Sequence, residues 1–190
     1  DYERAGVAGI HIEDQVFPKK CGFFEGKEVL PANEALQKIK AAIDARDDPS
    51  FVIIARCDAL DVNGWEDTVR RCYLYTEAGA DMVFVDGIKT IPDLEAYARR
   101  LADIPRLYNG DLLPAEEVEK LGFKVMIHRG PMFAVYKTIK EAMTELKRTG
   151  KLDVNKFGNT AILRQDIASL LGLERVYEME RKYGPKELDS

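Results

Sequence analysis

The 190-residue chain reads as an α/β protein built on a parallel sheet. Three observations predict this. Short apolar runs of strand length alternate with stretches of helical periodicity. The apolar runs lack in/out alternation, as expected of strands covered on both faces. Glycine and proline mark the joints, at Gly79, Pro92, Pro114 and Gly122, so the connections are short. With 46% hydrophobic and 32% charged residues the chain can bury a core, and 14 Gly with 8 Pro exclude a low-complexity sequence.

The first strand is the β-branched run from Val7 to Ile12, ending in Glu13-Asp14. No loose leader precedes it, so the chain is expected to begin within a larger domain. Phe17 to Pro31, with Gly22, Gly26 and two prolines, reads as a long loop. Residues 32–47 place Ala35, Ile39, Ala42 and Ile43 on one helical face. Phe51 to Ala55 is a strand, and residues 65–78 form a helix closed by Gly79. Met82 to Val85 is a strand, followed by a helix from Pro92 to Leu101 with proline in its first turn. Pro105 to Tyr108 is a strand, Pro114 to Leu121 a helix closed by Gly122, and Lys124 to Ile127 a strand. Met132 to Arg148 is a long amphipathic helix stopped by Gly150, and two helices follow at about 160–171 and 174–183. Five β units cannot close an eight-stranded barrel. They form either an open doubly wound sheet or the last five units of a barrel; periodicity alone does not separate the two.

Composition narrows the function. The net charge is −5 and the basic residues are scattered, so neither a nucleic-acid nor a membrane-surface footprint is present. No apolar run approaches the roughly 20 residues that span a bilayer, and no signal-peptide core is visible at the N-terminus. Three cysteines, at positions 21, 57 and 72, make no disulfide framework, which suits a reducing cytoplasm.

In α/β folds chemistry collects at the C-terminal ends of the strands. Those ends carry His11-Ile12-Glu13-Asp14, Arg56-Cys57-Asp58, Asp86-Gly87, Asn109-Gly110-Asp111 and His128-Arg129. Converging acids suit a hard divalent cation such as Mg²⁺, and arginine suits a substrate carboxylate. Asp111 and Arg129 read as cap, turn or solvated charges. His11 reads as a satisfied core or supporting histidine that alternates away from the neighbours of Glu13. Cys57 and Cys72 read as packing residues. Cys21 differs, because in Pro18-Lys19-Lys20-Cys21-Gly22 two cations adjoin the thiol and favour the thiolate, and Gly22 permits a mobile loop.

Gly9-Ile10-His11-Ile12-Glu13-Asp14-Gln15, followed by Lys19-Lys20-Cys21-Gly22, resembles the isocitrate lyase / phosphoenolpyruvate mutase superfamily, and within it the 2-methylisocitrate lyase branch. Ile54-Ala55-Arg56-Cys57-Asp58-Ala59 and Glu77-Ala78-Gly79-Ala80-Asp81-Met82, then Phe84, agree in order. The resemblance covers nearly the whole chain and weakens after Gly110. It implies the last five βα units of a (β/α)₈ TIM-type barrel plus C-terminal helices, with the first three strands and their metal-binding aspartates absent from this chain. It divides the chain into a partial barrel over 1–158 and a helical extension over 159–190.

The resemblance implies an enzyme that uses Mg²⁺, or Mn²⁺ in its place, to cleave a C–C bond in a small 2-hydroxy or 2-oxo di- or tricarboxylic acid through an enolate. Glu13 matches a carboxylate that holds the metal through water, Arg56 the arginine that binds substrate carboxylate, and Cys21 the general acid/base of the gating loop. Lys19, Gly22, Asp86 and Asn109 complete the expected substrate-binding set. Three departures stand out. Phe23 replaces the histidine usual after the Lys-Lys-Cys-Gly element. Asp86 stands where lyases carry glutamate. Gly110-Asp111-Leu112 does not match the lyase continuation. An oxaloacetate decarboxylase-like enzyme, a carboxyphosphonoenolpyruvate mutase-like enzyme and an inactive truncated scaffold are the alternatives. The helices after Gly158 carry Ile162, Ile167, Leu170, Leu171, Val176 and Met179 in apolar rows that must dock on something. An even-numbered homo-oligomer, dimer or tetramer, exchanging residues 160–183 is expected, with Phe157-Gly158-Asn159 as the hinge.

Overall fold

The computed structural model describes residues 1–22 and 24–184. Phe23, the departure next to the Cys21 loop, lies outside them, as do residues 185–190 at the end of the expected extension. Five strands, β1 (Gly9–Glu13), β2 (Val52–Cys57), β3 (Met82–Val85), β4 (Arg106–Asn109) and β5 (Val125–Ile127), form one sheet in sequence order. Every adjacent pair is parallel. A doubly wound sheet reverses its strand order at a switch point. None occurs among these strands, so the sheet is the five-stranded part of a barrel.

The helices α1 (Ala32–Asp44), α2 (Leu60–Glu77), α3 (Ile91–Arg100), α4 (Ala115–Lys120) and α5 (Gly130–Thr149) follow the strands one by one. The predicted helix over 65–78 is the main body of α2. The structure adds one turn before it, set off by Gly64, whose φ of 79° only glycine adopts without strain. At α3, Thr90 and Asp93 form a capping box, with each side chain bonded to the other's backbone N–H. Arg106 is buried and donates to the carbonyls of Leu101, Ile104 and Leu121, which ties the ends of α3 and α4 to β4. A Cβ at Gly122 would strike its guanidinium at 2.7 Å, so the close of α4 requires glycine.

The absence of alternation expected of the strands is corrected in β2. Ile53, Ala55 and Cys57 are fully buried, while Val52, Ile54 and Arg56 are half-buried. The helix-facing side is sealed by the core of Tyr75, Leu94, Tyr97, Leu101 and Tyr108. The opposite side, which faces the lumen of a barrel, is thinly covered at both edges; His11, Val125 and Ile127 are exposed there.

The chain divides into two compact units, one ending at Phe133 and the other starting at Ala134. In the second, the C-terminal part of α5 is followed by a 3₁₀ turn over Val154–Phe157, then α6 (Thr160–Leu170) and α7 (Leu173–Tyr183). Lys156 bonds to Glu145 at 2.7 Å, and Asn159 caps α6 through Ala161 N–H at 2.9 Å. Leu170 and Leu171 are 86% and 78% exposed, and no residue of α6 or α7 is buried. No helix among the described residues is long and apolar enough to cross a membrane.

Candidate active site

Side chains in a strand alternate between faces, so residues two apart share a side. The strand register therefore sets Glu13 beside Arg56, and Arg56 beside Phe84. One rung further along, Asp86 follows Phe84 on that face, and Asn109 pairs with Ile127. The parallel sheet thus delivers one polar group per strand to the same rim. These groups line a cavity of about 360 Å³ with Arg129 and the loop residues Lys19, Lys20, Cys21 and Gly22. Every predicted site residue lies on it.

Two expectations are corrected. His11 is two residues from Glu13 and so shares its face; it stacks on Phe84 with centroids 5.7 Å apart. Partial desolvation and the Arg56 cation lower its pKa below that of a free imidazole. Arg129 is not merely a solvated charge. It lines the cavity and pairs with Asp111 at 3.0 Å. The strand ends looked rich in acids, but the cavity lining holds five basic side chains (Lys19, Lys20, Arg56, Lys89, Arg129) against two acidic ones (Glu13, Asp86).

Arg56 is held from several sides. Its Nε and Nη2 donate to the two oxygens of Asp58 at 2.8 Å each, Glu13 lies 3.2 Å from Nε, and Asp86 lies 3.5 Å from Nη2. The guanidinium sits 5.0 Å from the Phe84 ring centroid. One edge of the planar fork is thus committed to Asp58, and the Nη1 side remains for a ligand carboxylate. Asn109 Oδ1 is buried without a protein partner among the described residues, an acceptor that a ligand hydroxyl can satisfy.

Cys21 is exposed beside the cavity. The two lysines next to it in sequence turn to other partners: Lys19 to Glu13 at 2.9 Å, Lys20 to the Gly26 carbonyl at 2.5 Å. Gly22 lies against Asp86, and a Cβ there would overlap the carboxylate. Burial pushes the Asp86 carboxyl up, against the opposing pull of Arg56 and Lys27. Cys57 and Cys72 are fully buried packing residues, and a hydrogen bond with Cys72 and burial together raise the Cys57 thiol well above its ordinary value.

Sequence reasoning missed the supporting shell. Lys27 is buried and bonds to Asp61 at 3.0 Å and to Asp86 at 3.4 Å. Asp14 accepts from Asp58 N–H at 2.8 Å, Tyr75 at 3.0 Å and Arg71 at 3.1 Å. The four-residue spacing of Asp67, Arg71 and Tyr75 on α2 was the available signal for that buried polar row. Among the described residues no group of three or more His, Cys, Asp or Glu side chains could hold a metal ion. The oxygens of Glu13 and Asp86 already face Lys19, Arg56 and Lys27. These residues alone do not fit a complete Mg²⁺ site.

In sequence and in fold the chain is similar to known proteins. Residues 1–147 match the family described as phosphoenolpyruvate phosphomutase. The chain is 36% identical over 194 residues to the 2,3-dimethylmalate lyase of Eubacterium barkeri, covering 96% of this chain and 65% of that protein. It is 36% identical over 152 residues to the 2-methylisocitrate lyase of Aeropyrum pernix, covering 77% and 48%. A solved structure of oxaloacetate acetylhydrolase with 3,3-difluorooxalacetate superposes with a TM-score of 0.84 at 31% identity, over 98% of this chain and 65% of that one. Phosphonopyruvate hydrolase in complex with oxalate and Mg²⁺ superposes at 0.78 and 28% identity, over 96% and 65%. The chain spans about half to two-thirds of the length of these proteins.

Proposed function

The chain belongs to the phosphoenolpyruvate mutase family of the PEP mutase/isocitrate lyase superfamily, and on that premise we propose that it carries the rim of a C–C bond lyase for a small 2-hydroxy or 2-oxo di- or tricarboxylic acid. One observation carries the reading. Glu13, Arg56, Asp86 and Asn109, from four successive strands, meet on one cationic cavity overhung by Cys21. In this reading Arg56, fixed by Asp58, receives a substrate carboxylate on its Nη1 side. Asn109 accepts from a substrate hydroxyl, and Lys19 and Gly22 shape the loop side of the cavity. As the substrate hydroxyl loses its proton to water and its oxygen forms the new C=O, the C–C bond breaks and its electron pair is delocalised as an enolate, which the fixed positive charge of Arg56 stabilises. The Cys21 thiol delivers the proton to the departing carbanion. We include Mg²⁺, replaceable by Mn²⁺, as the cofactor. Its direct ligands would have to come from outside the described residues, and Glu13 would contribute through water. Work in a reducing cytoplasm and assembly as a homodimer or homotetramer with exchanged C-terminal helices complete the proposal.

The test uses the full-length protein with Mg²⁺ and, in turn, 2-methylisocitrate, 2,3-dimethylmalate and oxaloacetate, following C–C cleavage by product analysis. Cleavage of at least one acid, lost on chelation, is expected. Cys21→Ser should lower turnover by about 10²-fold or more, the scale of losing a general acid/base. Cleavage of none of the three acids, or unchanged turnover in Cys21→Ser, would overturn the reading. Oxaloacetate as the preferred substrate is the second reading, favoured by the superposition on oxaloacetate acetylhydrolase.

A further inference from the structure

Gln15 is 3% exposed, at the point where the chain leaves β1 for the Cys21 loop. Its carboxamide grips the backbone of Lys20 in both directions. Oε1 accepts from Lys20 N–H at 2.9 Å, and Nε2 donates to Lys20 C=O at 3.0 Å. Nε2 also donates to Asp58 Oδ1 at 3.0 Å. That is the same carboxylate oxygen that receives Arg56 Nη2 at 2.8 Å. A single buried amide therefore joins the residue before Cys21 to the residue that orients Arg56. A side chain that occupies both hydrogen-bonding groups of one loop residue acts like an added strand, and fixes that residue's position and direction.

We propose that Gln15 is a positioning residue that fastens the Cys21 loop and the Asp58–Arg56 pair into one unit, so that the loop is ordered and Arg56 is oriented together. The inference deepens the lyase reading and rests on it for its catalytic meaning; the fastening itself is measurable without turnover.

The test begins with the unmodified full-length protein. Amide hydrogen exchange should show Lys20 N–H at least about tenfold slower than the N–H groups of Cys21 and Gly22, the scale of one hydrogen bond to a fixed acceptor. Next, Gln15→Met keeps the volume and removes the grip. Limited trypsin digestion, read by mass spectrometry, should then cut after Lys19 and Lys20 about tenfold faster, with other sites unchanged. If the lyase assay succeeds, kcat should fall and KM rise together, because Cys21 and Arg56 both lose their placement, and Gln15→Asn should recover neither. Equal exchange at Lys20 and its neighbours would overturn the proposal. So would trypsin rates at Lys19 and Lys20 that are unchanged, or that rise equally at all sites. A failed lyase assay with the exchange and trypsin results as expected would refute the activity and leave the fastening standing.

Discussion

At the scale of the residue, the charge pairs decide where pH acts. Burial alone would raise the Asp67 carboxyl, but hydrogen bonds from Asn63, Arg71 and Arg70 overcome it and hold the group at about 2. A carboxyl depressed in the folded state stabilises the protein above its unfolded value of about 3.9, and that contribution is lost as pH falls through the folded value. Asp67 is partly open to solvent, so screening limits the effect. Asp67→Asn should cost about 1 kcal/mol of unfolding free energy at pH 6, and the gap to the parent should close between pH 4 and pH 2. Urea titrations at several pH values measure it; a gap that persists at pH 2 would show that the substitution acts through packing instead. The residue scale also explains what the sequence left hidden. Glu13, Arg56, Cys21, Asp86 and Asn109 were legible because strand ends and the loop motif mark them. Gln15, Asp14 and Lys27 each have a partner far along the chain, 43, 57 and 59 residues away, at Asp58, Arg71 and Asp86. Only the folded register brings such pairs together; the four-residue spacing on α2 marks Arg71 as one of a polar row but does not announce which residue it meets.

At the scale of the element, local chemistry and tertiary pairing divide the work. The strand Met82–Val85 was legible to the residue, because a short apolar run flanked by turn signals leaves little choice. The Gly64 break in α2 was not, since a helical row of apolar residues gives no sign of one positive φ. Nor was the difference between the two faces of β2, which depends on what covers each face rather than on its own residues. One buried hydroxyl joins helix to sheet. Tyr97 OH accepts from Val85 N–H at 3.2 Å and lies 3.0 Å from Val83 O and 3.1 Å from Leu107 O. Tyr97→Phe removes a partner from three backbone groups of β3 and β4 and should cost about 1–3 kcal/mol, the range for a buried group left unsatisfied. Expected is a lower urea midpoint with the slope of the transition unchanged. A midpoint equal to that of the parent would mean that the strands satisfy those groups without it.

At the scale of the whole molecule, the exposed rows of α6 and α7 bear on assembly. Short helices draw most of their stability from an apolar face packed on a partner, and Ile162, Ile167, Leu170 and Leu171 present such a face to solvent in the single chain. Gly158, at φ 122°, gives the 3₁₀ turn a conformational freedom that other residues lack. Deleting 159–190 from the full-length protein should therefore shift its mass by light scattering toward monomer. An unchanged oligomeric mass would place the subunit contacts elsewhere.

The cationic lining of the cavity has a consequence in time as well as in space. The chain as a whole carries a net charge of −5, so the basic cavity is a local reversal of the field around it. An approaching polyanion meets a chain of net negative charge but a cationic opening, and attraction toward that opening would shorten its search. That guidance reaches only as far as dissolved ions let it, about 8 Å at physiological ionic strength. Capture, measured as kcat/KM, should therefore decline several-fold as salt is raised from about 10 mM to 300 mM, while kcat holds steady once the acid is bound. A salt-independent kcat/KM would mean that encounter is governed by loop opening rather than by charge.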